Sequence, residues 1–175
     1  MSYRIRLMGD PVLRQKAKVV DEIDGTIARI ASDMFAPMYE VEGLGLAAPQ
    51  VGIQKRLFVY DLGEGPQVLV NPEIVESDGE WTYMEGCLSV PGMSFEIVRP
   101  DSVHLVGRDL DGNEVSIEAD ELLGRLFQHE LDHLDGVLLV DHLDIDQRKA
   151  ALKEWRQRGE AQARPRETAG GLSLP

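Results

Sequence analysis

Between residues 128 and 134 the chain reads Gln-His-Glu-Leu-Asp-His-Leu, and few folds can accommodate those side chains on one helix. Helical periodicity extends on both sides, from about Ala119 to Asp135, where Gly136 stops it. Two histidines four residues apart on a helix lie one above the other, so their ring nitrogens can converge on a single ion. On a wheel of ~100° per residue with Leu122 near ~0°, His133 falls near ~20°, His129 near ~−20°, Leu126 near ~40° and Glu130 near ~80°. The remaining strongly polar residues, Glu121, Arg125, Gln128, Asp132 and Asp135, fall on the opposite arc, which predicts that they face solvent. Two imidazoles and a carboxylate among leucines are costly to bury without a partner. A metal site fits that pattern better than a pair of ordinary core histidines does. It would supply two neutral imidazole ligands and a glutamate placed to take a proton from water.

The third ligand decides which metal chemistry follows. The extended protease pattern would need a histidine at position 139, which is Leu139, and the downstream glutamates Glu154, Glu160 and Glu167 lie only in the tail. Cys87 is the sole cysteine, which rules out an internal disulfide. It lies in Glu85-Gly86-Cys87-Leu88-Ser89, after a strand-like run from Trp81 to Met84. Three readings of it stay open on spacing alone: a small buried hydrophobe, a thiolate ligand, and a nucleophile activated by histidine.

Gly43-Leu44-Gly45-Leu46-Ala47-Ala48-Pro49-Gln50 formally satisfies a dinucleotide-binding pattern. It follows a helical segment where a strand is needed, Pro49 makes the residue before it unlikely to continue a helix, and position 71 is Asn71 where an acid is needed, so that reading fails. A tight turn is the simple alternative. The functional one is a backbone lying close to a substrate, with Gln50 offering an amide N–H to a developing oxyanion.

Elsewhere, Asp10-Pro11 opens a short helix to about Ala17, and apolar residues from Asp24 to Val41 recur at helical spacing, with Pro37 expected to kink or end that helix. Strand-like runs are Leu57–Tyr60, Val68–Val70, Glu73–Val75, Trp81–Met84, Val103–Val106, Val115–Ile117 and Val137–Val140. A last helix spans about Asp146 to Gln162. Strands with segregated helices predict an α+β fold. Its 175 residues suggest one catalytic domain over 1–146, followed by a basic helix and frayed tail over 147–175. With 31 acidic and 18 basic side chains the molecule carries −13 and should repel nucleic acid, which argues against DNA binding. No stretch is apolar for long enough to cross a membrane or act as a leader, so a reducing, cytoplasmic setting is expected.

Taken together and in this order, Gly43–Gln50, Glu85–Ser89 and Gln128–Leu134 resemble the three signatures of the peptide deformylase family, G-φ-G-φ-A-A-x-Q, E-G-C-L-S and Q-H-E-x-D-H-L. The similarity extends from about residue 5 to 145. It implies a small α+β hydrolase whose sheets pack around the helix carrying the H-E-x-x-H motif. It implies that Cys87, His129 and His133 bind one divalent metal, usually Fe²⁺, with Zn²⁺, Ni²⁺ or Co²⁺ able to substitute. Glu130 would be general base and acid, the Gln50 side chain and the Leu88 backbone N–H would form an oxyanion hole, and Gly45 would bond the substrate backbone. The reaction implied is removal of the N-formyl group from the formylmethionine of newly synthesised proteins, with water activated at the metal attacking the formyl carbon and formate released.

Two further expectations follow. An apolar pocket for the methionine side chain would use Leu44, Leu122 and Leu126. Residues 147–166 hold seven basic side chains and two acidic ones; a solvated surface helix is the simpler reading, and the resemblance implies transient docking on ribosomal RNA as another. Ser94 stands where some bacterial members carry a substrate-touching arginine.

Overall fold

The computed structural model describes residues 2–163. They form helix α1 (Gly25–Glu40), strands β1 (Gly45–Ala47), β2 (Leu57–Tyr60), β3 (Gln67–Asp78), β4 (Trp81–Gly86), β5 (Ser94–Arg99), β6 (Ser102–Arg108) and β7 (Glu114–Ala119), then helices α2 (Glu121–Leu134) and α3 (Ile145–Ala163). Short 3-10 turns cover Pro11–Arg14, Ala48–Val51 and Leu139–His142. The strands build an antiparallel sheet in the order β1-β2-β3-β6-β7 and a separate β4–β5 hairpin. The architecture is α+β, as expected. The described residues fall into two units, one ending at Leu139 and the other beginning at Val140. In the second unit α3 carries ion pairs from Arg148 to Asp141 (3.1 Å) and from Arg158 to Glu154 (2.6 Å).

Strand alternation explains how both faces of the large sheet are covered. From β2, Phe58 and Tyr60 join Leu126, Phe127, Leu131 and Leu134 of α2 in one core. Leu57 and Val59 face the other way and join Ile27, Ala31, Met34 and Met38 of α1 in a second core. In β1, Ala47 belongs to the α2 core and Leu46 to the α1 core. The glycine segment is thereby held between the helices, with α2 against one side of it. α1 begins where Asp24 accepts hydrogen bonds from the Thr26 and Ile27 amides, satisfying donors that a helix start leaves open.

Several local expectations need correction. Pro37 does not end its helix: it is buried in the last turn, and α1 runs on to Glu40. Proline here lacks the N–H that would reach the Asp33 carbonyl, and only three helical residues follow it. The helix expected to reach Ala17 is a single 3-10 turn at Pro11–Arg14. The two runs flanking Asn71-Pro72 are one strand, β3, with a register shift between Val70 and Glu73 that accommodates the proline without a ladder donor. Val137–Val140 makes no strand; Leu138, Leu139 and Val140 are buried instead around the 3-10 turn Leu139–His142. Short apolar runs carry no periodicity to separate these outcomes. The glycine segment is a strand followed by a 3-10 turn where a plain turn was one expectation, and β5 was not anticipated.

Candidate metal centre

α2 delivers His129 and His133, and the chain leaving β4 delivers Cys87. The Cys87 Sγ lies 3.3 Å from His133 Nε2, which lies 3.3 Å from His129 Nε2. Within this group every candidate ligand atom is within 4.8 Å of the others, and it is the one such group of three or more among the described residues. The three sequence-predicted ligands therefore do meet. Burial pushes the Cys87 thiol up, but the imidazoles of His133 and His129 outweigh it and hold the thiol well below its ordinary range. Burial lowers His129 in turn, and bonding to Cys87 and Glu85 overcomes this, so its imidazole is held well above the usual value. A thiol that readily loses its proton beside two imidazoles is the donor chemistry of a Zn- or Fe-type site.

Glu130 is 3% exposed, and its Oε2, like Nδ1 of His133, is buried without a hydrogen-bond partner among the described residues. Burial pushes the Glu130 carboxyl above the ordinary carboxylate range against the pull of the imidazoles. A buried carboxylate oxygen left open in this way fits a site that takes up a further polar group. Gln50 arrives from the 3-10 turn after β1. Its Oε1 accepts from the Ala47 amide at 2.9 Å, which aims Nε2 at Ser89 Oγ (3.1 Å) and Cys87 Sγ (3.9 Å). The side-chain amide is thus fixed beside the thiol by its own turn.

A cavity of about 520 Å³ opens onto this cluster and is lined by Leu44, Gly45, Leu88, Leu122, Leu126 and Glu130 among others. All the residues assigned to substrate binding or to the oxyanion hole therefore share one cavity. Leu126 is buried, whereas Leu44 and Leu122 stand at its exposed rim. A larger groove of about 760 Å³ on β3, β6 and β7 is lined by Glu76, Asp78, His104 and Glu118 and includes none of the cluster.

Sequence reasoning missed the residues packed behind the three converging donors. Arg125 and Gln128, expected on the solvent side of α2, are buried. Arg125 donates to Glu85 Oε2 (2.7 Å), to the Ile97 carbonyl (2.9 Å) and to the Trp81 carbonyl, and its guanidinium lies over the Trp81 and Tyr83 rings. Gln128 donates to the Pro100 carbonyl at 3.0 Å. The β4–β5 hairpin covers the part of that arc that holds Arg125 and Gln128, while Glu121 and Asp135 are exposed as expected. Glu85 stands at the centre: Arg99 binds it through Nε and Nη2 (2.7 and 3.1 Å), and His129 Nδ1 donates to it at 3.0 Å. Burial would raise the Glu85 carboxyl, but His129 and Arg99 bring it down to about 2. Arg99 also reaches Asp132 at 2.8 Å, tying the hairpin to the motif helix. The glutamate two residues before Cys87 was visible in the sequence, but nothing in its spacing pointed to His129. Ser94, at the start of β5, is exposed.

A family model for polypeptide deformylase matches residues 2–149. The chain belongs to the polypeptide deformylase family. Peptide deformylase from Agathobacter rectalis is 53% identical over 140 residues, covering 80% of this chain and 89% of that protein. Among solved structures, a peptide deformylase from Legionella pneumophila superposes with a TM-score of 0.88 at 39% identity, covering 94% of this chain and 99% of that one. A peptide deformylase from Synechococcus elongatus in complex with actinonin gives a TM-score of 0.83 at 42% identity, covering 88% and 86%. Membership makes this deformylase-family chain a hydrolase. No described helix is long and apolar enough to cross a membrane.

Proposed function

We propose that the enzyme removes the N-formyl group from the N-terminal formylmethionine of newly synthesised proteins, with one divalent metal ion held by Cys87, His129 and His133. Support comes from the convergence of a thiol and two imidazoles at a cavity lined by Cys87, His129, Glu130 and Gln50. Three protein donors, one fewer than a closed structural site uses, match the pattern of catalytic sites. Fe²⁺ is the first choice of ion, with Zn²⁺, Ni²⁺ and Co²⁺ as substitutes. When bound, the ion supplies Lewis acidity, lowering the pKa of water and polarising the formyl carbonyl.

The protein's own groups then have distinct tasks. Glu130 accepts the proton of the attacking water; its raised carboxyl pKa, closer to neutrality, suits proton transfer in both directions. As charge grows on the formyl oxygen, Gln50 Nε2 and the Leu88 N–H donate to it, and one such donor is worth about 2.7–4 kcal/mol in related acyl transfers. Glu130 returns the proton to the leaving amine nitrogen, and formate departs. β1 ends the five-stranded sheet, with β2 on one side, so the extended peptide can add along its other edge near Gly45. That mode bonds backbone and leaves sequence preference to the methionine pocket of Leu44, Leu122 and Leu126. A cytoplasmic setting for the reaction is part of this proposal.

Formate and free amine, assayed together from a formyl-Met peptide on protein purified without oxygen and analysed for metal, test this reading. Stoichiometric formate with a metal content near one ion per chain is expected. Amine release from an internal peptide bond without formate would instead make the enzyme a metallopeptidase.

The basic segment 147–166 extends the proposal to transient docking on the ribosome; Arg164 and Arg166 lie outside the described residues, and two of the cations on α3 are engaged by Asp141 and Glu154. Deleting residues 147–175 should weaken a salt-sensitive association with ribosomes, and unchanged association would eliminate docking through this segment.

A further inference from the structure

Gly45 is not required to be glycine by its backbone. It lies in strand β1, paired with Tyr60 of β2, and it is absent from the glycines of the described chain that adopt a positive φ. Alanine could hold the same conformation and offer the same N–H and C=O to a substrate. What alanine could not do is share the space. A Cβ at Gly45 would lie 2.7 Å from Glu130 Oε1, 3.1 Å from its Cδ and 3.3 Å from its Cγ. Strand alternation sets this approach, because Gly45 shares the side of β1 that Ala47 turns toward α2.

We infer that Gly45 is a positioning residue for Glu130: its missing side chain is the space in which that carboxylate sits against β1. The inference rests on the role proposed above for Glu130. The group that must move when a Cβ is added is the end of a flexible side chain, with the strand backbone left in place, so the consequence falls on the geometry of proton transfer before it falls on the fold. A displacement of about 1 Å at a reacting group can lower turnover by about a hundredfold.

Two roles for Gly45 make different predictions. A role limited to its backbone N–H and C=O leaves Gly45→Ala close to wild type, or raises KM alone. A spacing role lowers kcat by tenfold or more with KM changed less than about twofold. Bound metal should stay at the wild-type ratio, and a crystal structure of Gly45→Ala should show the Glu130 carboxylate displaced. Glu130→Asp supplies the internal check, since one methylene fewer withdraws the carboxylate from the added Cβ. In that background Gly45→Ala should cost less than about threefold, a non-additivity expected of groups sharing one space.

An unmoved carboxylate in the Gly45→Ala crystal, or an equal cost of the alanine in both backgrounds, would overturn the inference. Should Gly45→Ala be insoluble alone, the double variant with Glu130→Asp must recover soluble protein, and its failure to do so counts equally against the inference. Glu130→Gln separates the two levels: full turnover there removes Glu130 from the chemistry, while the crystallographic displacement is still decided on its own.

Discussion

Glu85 Oε1 accepts a hydrogen bond from His129 Nδ1 at 3.0 Å, while the other oxygen of the same carboxylate is held by Arg99 and Arg125, each at 2.7 Å. The bond reserves Nδ1 and leaves Nε2 of His129 as the atom that meets Cys87 and His133. Groups of this kind orient a ligating imidazole and raise its basicity, and their loss typically costs 10–100-fold in metal affinity or activity. Glu85→Gln should therefore weaken metal binding by about 10–100-fold, measured by chelator competition, with turnover recovering as metal is raised to saturation. Unaltered affinity would reduce Glu85 to a packing role.

Glu130→Ala should keep the metal, because none of the three converging donors is touched. Turnover of a formyl-Met peptide should fall by about 10²–10⁴ or more, as expected for removal of a general base. Wild-type protein stripped of metal should be inactive too. Turnover by the stripped protein would favour a Cys87 nucleophile, the hydrolase mechanism that needs no ion.

Leu126 is a buried residue of the cavity wall, whereas Leu44 and Leu122 on the same cavity are exposed. A tryptophan there overfills the space assigned to the methionine side chain. Leu126→Trp should raise KM or lower kcat/KM for formyl-Met peptides while metal content stays constant. Unchanged kinetics would move the methionine pocket elsewhere.

Acid stability of the metal-free protein follows from Glu85. Its folded carboxyl lies at about 2 against an ordinary 4.5, so the folded form binds its proton less readily than the unfolded chain. A depressed carboxylate contributes stability that is complete above the unfolded value and is lost as pH falls toward the folded one. Between pH 4.5 and 2 the protein should lose on the order of 3 kcal/mol from this group, which is only 4% exposed. Denaturant titrations across that window measure the loss. In Glu85→Gln the same window should be flatter.

Part of the candidate site could be read before the fold was seen, because its two histidines sit at a spacing that local geometry enforces. His129 and His133 share a helix face by helical period alone, and Gln50 reaches its own turn through the Ala47 amide three residues back. The α+β arrangement followed from runs such as Leu57–Tyr60, whose residues are buried on both faces. Cys87 was visible as a residue but carried three meanings, and only the tertiary fold brought its thiol to the two imidazoles of α2.

Tertiary packing alone decided the rest. Arg125 and Gln128 look like solvent-facing residues on any helical wheel, yet the β4–β5 hairpin lies over them and turns them into ties to Glu85 and Pro100. Gly45 reads as a turn glycine, and its contact with Glu130 spans 85 residues of chain that no local pattern encodes. Periodicity reports which side of an element a residue occupies. What covers that side depends on long-range pairing, and the chemistry of this site lies largely in those coverings.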